Sequence, residues 1–564
     1  MSQRLMICTL ILWIGVQGMS LRIARANALI HQTSAHLRQY IEMGTVPLVP
    51  DAAGSTVRLP AMLQLLYAER LYRPAWSGSA GLLPQADLLI TAIRKAAEEG
   101  LQPEDYFLSI IEPQLAQIRQ RTEPTALPHA EQLAALDLLL SAAFVSYGAD
   151  LLWGRMMPAG HDDSEVPMHR EADLRRVVQA ALDTGQIHEA LHHLLPLHAG
   201  YHRLRQTLAH YRQLAAQGGW PAVAVGPLLR LGDREAQIIT LRQRLRITGD
   251  LVSASPVALD LFDETLERAV RAFQERHGLD VDGVVGPTTQ AALNVPVEAR
   301  VRQITINMER WRRLPQHLGA RYLMANIPNF TLDVVEHDRV VMSMRTVVGT
   351  PQQRTPVFSA LLTSMVLNPY WRIPASIARQ EILPRLRRDP GYLATQNIKL
   401  WRGQGAEVRE VDPRRIDWSA VSARHFDYSL RQEPGPDNAL GRIKFLFPNA
   451  YSVYMHDTPQ RTLFARSARA FSHGCVRLEQ PMALAEYLLR GEASWSRDKL
   501  LATIARRAER YIPLPEALPV HLVYWTAWVT DTGTLHFRPD IYGHDTITGA
   551  PSSVARQRQA SSQS

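Results

Sequence analysis

"YSVYMHDTPQRTLFARSARAFSHGCVRL", residues 451–478, holds one of only two cysteines in a chain of 564 residues. Cys475 stands between His473-Gly474 and Val476-Arg477; the other cysteine, Cys8, lies in an N-terminal apolar run. "YSVYM" alternates as a strand does and leads into His456, after which Asp457-Thr458-Pro459 reads as a turn. The interval 475 − 456 = 19 residues is long enough for a loop to bring a second element alongside the first.

A thiol attacks only as its thiolate, and a free cysteine with a pKa of about 8.5 is mostly protonated near neutrality. A nucleophilic cysteine therefore needs a basic neighbour, and donors to hold the oxyanion that forms on the carbonyl it attacks. His456 qualifies by position. So does His473, which would share a face with Cys475 if the segment were extended. Spacing does not choose between them. Gly474 lets the backbone approach a substrate closely, and the amides of Gly474 and Cys475 are candidate oxyanion donors. Arg477 offers a fork for a carboxylate, or a partner for an acidic side chain. Asp457 is placed either to orient His456 or to form the turn.

Around this motif the chain is too long for one core and predicts three or four domains at roughly 100–200 residues each. Hydrophobic content of 46% and charged content of 21% are those of a globular protein. The net charge of +8 is spread thinly, without a basic stripe and interleaved aromatics, so nucleic acid is not an expected partner. Residues 1–26 combine Arg4, the apolar run Leu5–Val16 and "ARA" at 24–26, the pattern of a signal peptide. The alternative is an uncleaved anchor extending to Leu21, the one case in which a membrane is a partner. No second membrane span is expected. Cleavage after Ala26 would leave Cys475 as the sole thiol of a chain destined for an oxidising compartment.

Residues 27–230 read as a helical scaffold, with apolar residues at i, i+3, i+4 spacing and Gly100 and Gly154 as stops. His188, His192, His193 and His198 lie on its amphipathic helices without accompanying carboxylates, so no metal is expected. Residues 231–297 form a compact three-helix unit: Leu266, Val270 and Phe273 share a face, Gly278 caps it, and Thr288 or Thr289 caps a last short helix. From Arg321 the period changes to that of strands, interrupted by a less regular stretch at about 376–430. Residues 501–549 read as a helix and a hairpin turning near Asp531–Gly533, and 550–564 as a disordered tail.

The stretch "AVRAFQ…HGL…DGVVGPTTQAAL" resembles the peptidoglycan-binding domain of cell-wall enzymes, which implies contact with glycan strands. "HD…SHGCVRL" resembles the signature of the L,D-transpeptidases, and the whole plan is similar to the large periplasmic members from Gram-negative bacteria. The resemblance implies a multidomain α+β protein: a helical scaffold domain, a three-helix peptidoglycan-binding domain, and a β-rich catalytic domain over 320–500 with an inserted helical or loop cap. It makes Cys475 the nucleophile, His456 the general base, Gly474 an oxyanion donor and His473 a residue that shapes the site. Ser472, Arg477 and Trp371 would bind substrate. The implied reaction is 3→3 cross-linking of stem peptides, with a tetrapeptide donor and a diaminopimelate acceptor, in the periplasm and without a cofactor. Carbapenems would acylate the cysteine. Hydrolysis, protein anchoring, or a non-catalytic wall-binding scaffold are the alternatives.

Overall fold

A computed structural model describes residues 27–44, 59–79, 81–120, 130–155, 174–252, 258–403 and 408–545. The expected signal segment and C-terminal tail lie outside them.

The N-terminal helices gather around Ala130–Trp153. This helix is long and apolar enough to cross a membrane, which corrects the expectation of no second candidate span. Its apolar window is 89% buried inside the domain. Leu136, Leu139, Leu140 and Phe144 are fully enclosed, so its partners are other helices of the same core. Asp137 is buried there too, and its carboxylate accepts from the Ala75 and Trp76 amides and the Tyr67 hydroxyl.

Residues 237–293 hold helices Gln237–Ile247, Glu264–His277 and Pro287–Leu293 around Leu241, Leu266, Val270 and Phe273. Asp263 caps the middle helix by accepting from the Leu266 amide at 2.9 Å, and Gly278 ends it at φ +67°. The last helix departs from expectation. Gly286 is its cap and Pro287 its first residue, while Thr289 is buried and its hydroxyl accepts from Gln274.

Helix Val297–Arg312 joins this unit to the β-rich part and seats both against the scaffold. Trp311 stacks on Trp525 at 4.2 Å and covers Gly200, where a Cβ would meet the indole at 2.4 Å. Arg312 is fully buried, bonded to the Tyr201 hydroxyl, the Glu309 carboxylate and the Glu99 carbonyl.

The β-rich part is a nine-stranded sheet ordered 470–472, 339–349, 476–478, 455–456, 443–446, 358–367, 510–523, 321–326, 331–336. Strands Thr331–Glu336 and Arg339–Gly349 also pair with each other, so the sheet curls back on itself. His337 and Asp338, both at positive φ, make the tight hairpin between them. The structure places strand Arg510–Val523 in the middle of the sheet, between Phe358–Leu367 and Arg321–Asn326. This strand corrects the expectation of an appended helix and hairpin over 501–549. Pro513 and Pro519 within it obscure the strand pattern, and the pairing shifts register between Pro513 and Leu518.

The insertion contains more than helix and loop. Strands Trp371–Ile373, Tyr428–Gln432, Ile398–Arg402 and Arg409–Glu410 form a small sheet in that order, packed on helical turns from Ala375 to Leu386. Ile377, Leu386, Leu400, Trp418 and Leu430 give this cap its own core. Strands of two to five residues are too short to declare themselves by alternation.

Candidate active site

Three neighbouring strands build the site. Met455–His456 runs antiparallel to Ile443–Leu446 and parallel to Val476–Leu478. Lys444 pairs with His456, and His456 with Arg477. Alternation sends Phe445, Met455 and Val476 into the core, all fully buried. The opposite face presents Lys444, Tyr454, His456, Cys475 and Arg477 to one cleft of about 1340 Å³, roofed by the cap. Trp371, Arg372 and Glu381 line its upper wall.

The imidazole of His456 is held through Nδ1, which donates to the Asp457 carbonyl at 2.5 Å. The Asp457 carboxylate has a different task. It accepts from the amides of Arg442 and Thr458 at 2.9 and 2.7 Å and fixes the turn. Gly441 is required beside it, because at φ +62° a Cβ there would lie 2.4 Å from the carboxylate carbon. Asp457 therefore both forms the turn and, through its backbone, orients the histidine.

With this arrangement in view, comparison with known proteins decides the family of the domain. Residues 320–497 match the L,D-transpeptidase catalytic domain, 234–293 a "Putative peptidoglycan binding domain", and 61–208 a scaffold domain. The β-rich part is an L,D-transpeptidase catalytic domain. The chain is 37% identical over 245 residues to a "Putative L,D-transpeptidase" from Haemophilus influenzae, covering 43% of this chain and 48% of that one. It is 47% identical over 75 residues to the N-acetylmuramoyl-L-alanine amidase CwlM of Mycobacterium tuberculosis, covering 12% of this chain and 18% of that one. The chain thus spans about half or less of the curated relatives it matches. Among solved structures, an L,D-transpeptidase from Xylanimonas cellulosilytica aligns over 53% of this chain and 98% of its own, with 17% identity and a TM-score of 0.17.

In this L,D-transpeptidase domain, electrostatics favour a neutral resting pair. Burial, with the nearby charges of Arg477 and Lys444, drives the His456 pKa down to about 3, against the pull of the Asp457 and Leu440 carbonyls. Burial raises the Cys475 thiol, partly offset by the Tyr454 amide and hydroxyl and by the charges of Lys444 and Arg477. At neutral pH the site holds an uncharged thiol and an uncharged imidazole, with the imidazole proton on Nδ1 and Nε2 left as an acceptor.

The remaining residues named from sequence fall into distinct places. His473 does not share a strand face with Cys475, because the chain turns at Gly474, φ +110°. Its Nε2 reaches up to the Glu381 carboxylate of the cap. The Ser472 hydroxyl points into its own turn, donating to the Cys475 carbonyl at 2.5 Å and accepting from the Gly474 amide at 3.1 Å. That hydroxyl is therefore committed to the turn and not presented to substrate, and the Gly474 amide is an occupied donor. Arg477 is held by Gln460 at 2.6 Å, and its buried Nε has no partner among the described residues.

Lys444, Tyr454 and Glu381 escaped the sequence reading. Tyr454 carried a signal, since it lies two residues before His456 in the alternating stretch "YSVYM" and so would share its face. Lys444 and Glu381 carried none, because their approach depends on strand register and on the folding of the cap.

Proposed function

We propose that this chain is an extracytoplasmic cysteine acyltransferase that makes 3→3 cross-links in peptidoglycan. The observation that carries the reading is that Cys475, in the turn that leads into strand Val476–Leu478, and His456, on the strand parallel to it, line one cleft beneath a cap. As Cys475 Sγ adds to the carbonyl at the L-centre of diaminopimelate in a donor tetrapeptide, His456 takes the thiol proton. The Cys475 amide and the Tyr454 hydroxyl, which reaches the thiol, are the donors this reading assigns to the oxyanion that forms. The bond to terminal D-alanine then breaks, His456 returns the proton to the leaving amine, and a thioester remains. The D-centre amine of a second stem attacks the thioester, its proton passes through His456 to the departing sulfur, and the cross-link is complete.

The cleft suits this substrate. Arg372, Lys444 and Arg477 line it, and a stem peptide carries several carboxylates. Trp371 at the base of the cap supplies a flat wall for the peptide. The cap would keep water from the thioester, and the three-helix unit would hold glycan strands nearby. Periplasmic delivery follows from the substrate's location.

The test is mass spectrometry of the purified protein with a disaccharide-tetrapeptide. Loss of D-alanine with a tetrapeptide–tripeptide dimer is expected, abolished in Cys475→Ala. His456→Gln should slow D-alanine release by about 10²–10⁴-fold. Tripeptide without dimer would make the protein a carboxypeptidase, and no reaction would leave a wall-binding scaffold.

A further inference from the structure

The catalytic turn is braced by a residue far beyond the family domain. Thr355 is 1% exposed, and its hydroxyl donates to the Gly474 carbonyl at 2.8 Å while accepting from the Gly349 amide at 2.9 Å. The Thr355 amide donates to the hydroxyl of Tyr542 at 3.2 Å, and that hydroxyl donates to the Gly349 carbonyl at 2.7 Å. Each hydroxyl thus gives one hydrogen bond and receives one, in a closed buried circuit. The same loop secures the neighbouring strand, since the Thr350 amide donates to the Ser472 carbonyl at 3.0 Å. Tyr542 is itself fixed: its amide donates to the Tyr524 hydroxyl, which donates to Asp540.

We infer that Tyr542 and Thr355 are positioning residues for acyl transfer, holding the 474–475 peptide at the angle that aims the Cys475 amide at a developing oxyanion. The Gly474 carbonyl and the Cys475 N–H belong to one peptide plane, so a bond that fixes the carbonyl fixes the direction of the amide. Gly474 sits at φ +110°, where glycine has broad freedom and needs an external restraint. Thr355 lies within the matched family domain, which ends at residue 497; Tyr542 lies beyond it.

The inference rests on the cysteine acyltransferase reading but not on the natural substrate. Its test compares two reactions of Cys475 in the full chain: acylation by p-nitrophenyl acetate, which passes through an oxyanion, and alkylation by iodoacetamide, which does not. For Tyr542→Phe and Thr355→Val, the acylation rate should fall about tenfold or more with the alkylation rate unchanged. Thr355→Ser should restore it, and thermal melts confirm that each variant is folded. Equal loss in both reactions, or no change in either, would overturn the inference. If the wild type released no D-alanine from tetrapeptide while the two rates diverged as expected, cross-linking would fail and the positioning role would stand.

Discussion

Lys444 stands directly across the antiparallel ladder from His456, and its ammonium lies 3.7 Å from the centre of the Tyr454 ring. The charge acts on His456 and Cys475 in the same direction, lowering the pKa of each. Lys444→Met should raise both. The pH profile of Cys475 alkylation is then expected to move upward, with the rate at pH 7 falling roughly threefold or more. A profile that stays in place would show that the lysine has no electrostatic role.

His456 also links stability to pH. Its folded pKa of about 3 lies below the usual value of 6.5, so between these the unfolded chain binds the extra proton. The resulting stability is present above pH 6.5 and is lost as pH falls toward 3. The slope from this group approaches about 1.4 kcal/mol per pH unit. Denaturant titrations between pH 7 and 4 should show a shallower slope in His456→Gln. Identical slopes would contradict the buried neutral imidazole.

The contact between His473 and Glu381 is the polar tie from the catalytic motif to the cap. Both side chains are partly exposed, so Glu381→Gln should alter global stability by no more than about 1 kcal/mol. Its expected effect is on products, with a larger share of hydrolysed tripeptide relative to dimer. An unchanged ratio would separate the tie from water exclusion.

Gly200 tests the seat between scaffold and linker helix. A methyl group there would overlap the Trp311 ring, so Gly200→Ala is expected to destabilise the protein by about 1–3 kcal/mol. A Tm equal to wild type would mean the helix shifts freely to make room.

What could be read in advance follows from the range of the interactions. That Cys475 and His456 line one cleft was an expectation open to the sequence, because a lone thiol 19 residues after a strand-ending histidine is a local pattern. The helical periodicity around Leu266, Val270 and Phe273 was legible for the same reason. The different surroundings of His456 and His473 were not, because the turn at Gly474, with its positive φ, sends His473 toward the cap. Lys444 required a strand register, and Tyr542 required the path of the chain after the last paired strand. Strand Arg510–Val523 was hidden by its prolines, which normally argue against a central position.

That strand has a consequence in time. It lies in the interior of the sheet yet follows Cys475 in the chain. A chain delivered N-terminus first can fold its helical domains before its sheet is complete. It cannot complete the sheet beneath Cys475 until residue 523 has been made, and Tyr542 follows later still. The thiol is therefore present in the chain before its site can form. Any product that stops short of residue 523 carries the Cys475 thiol without the sheet that surrounds it.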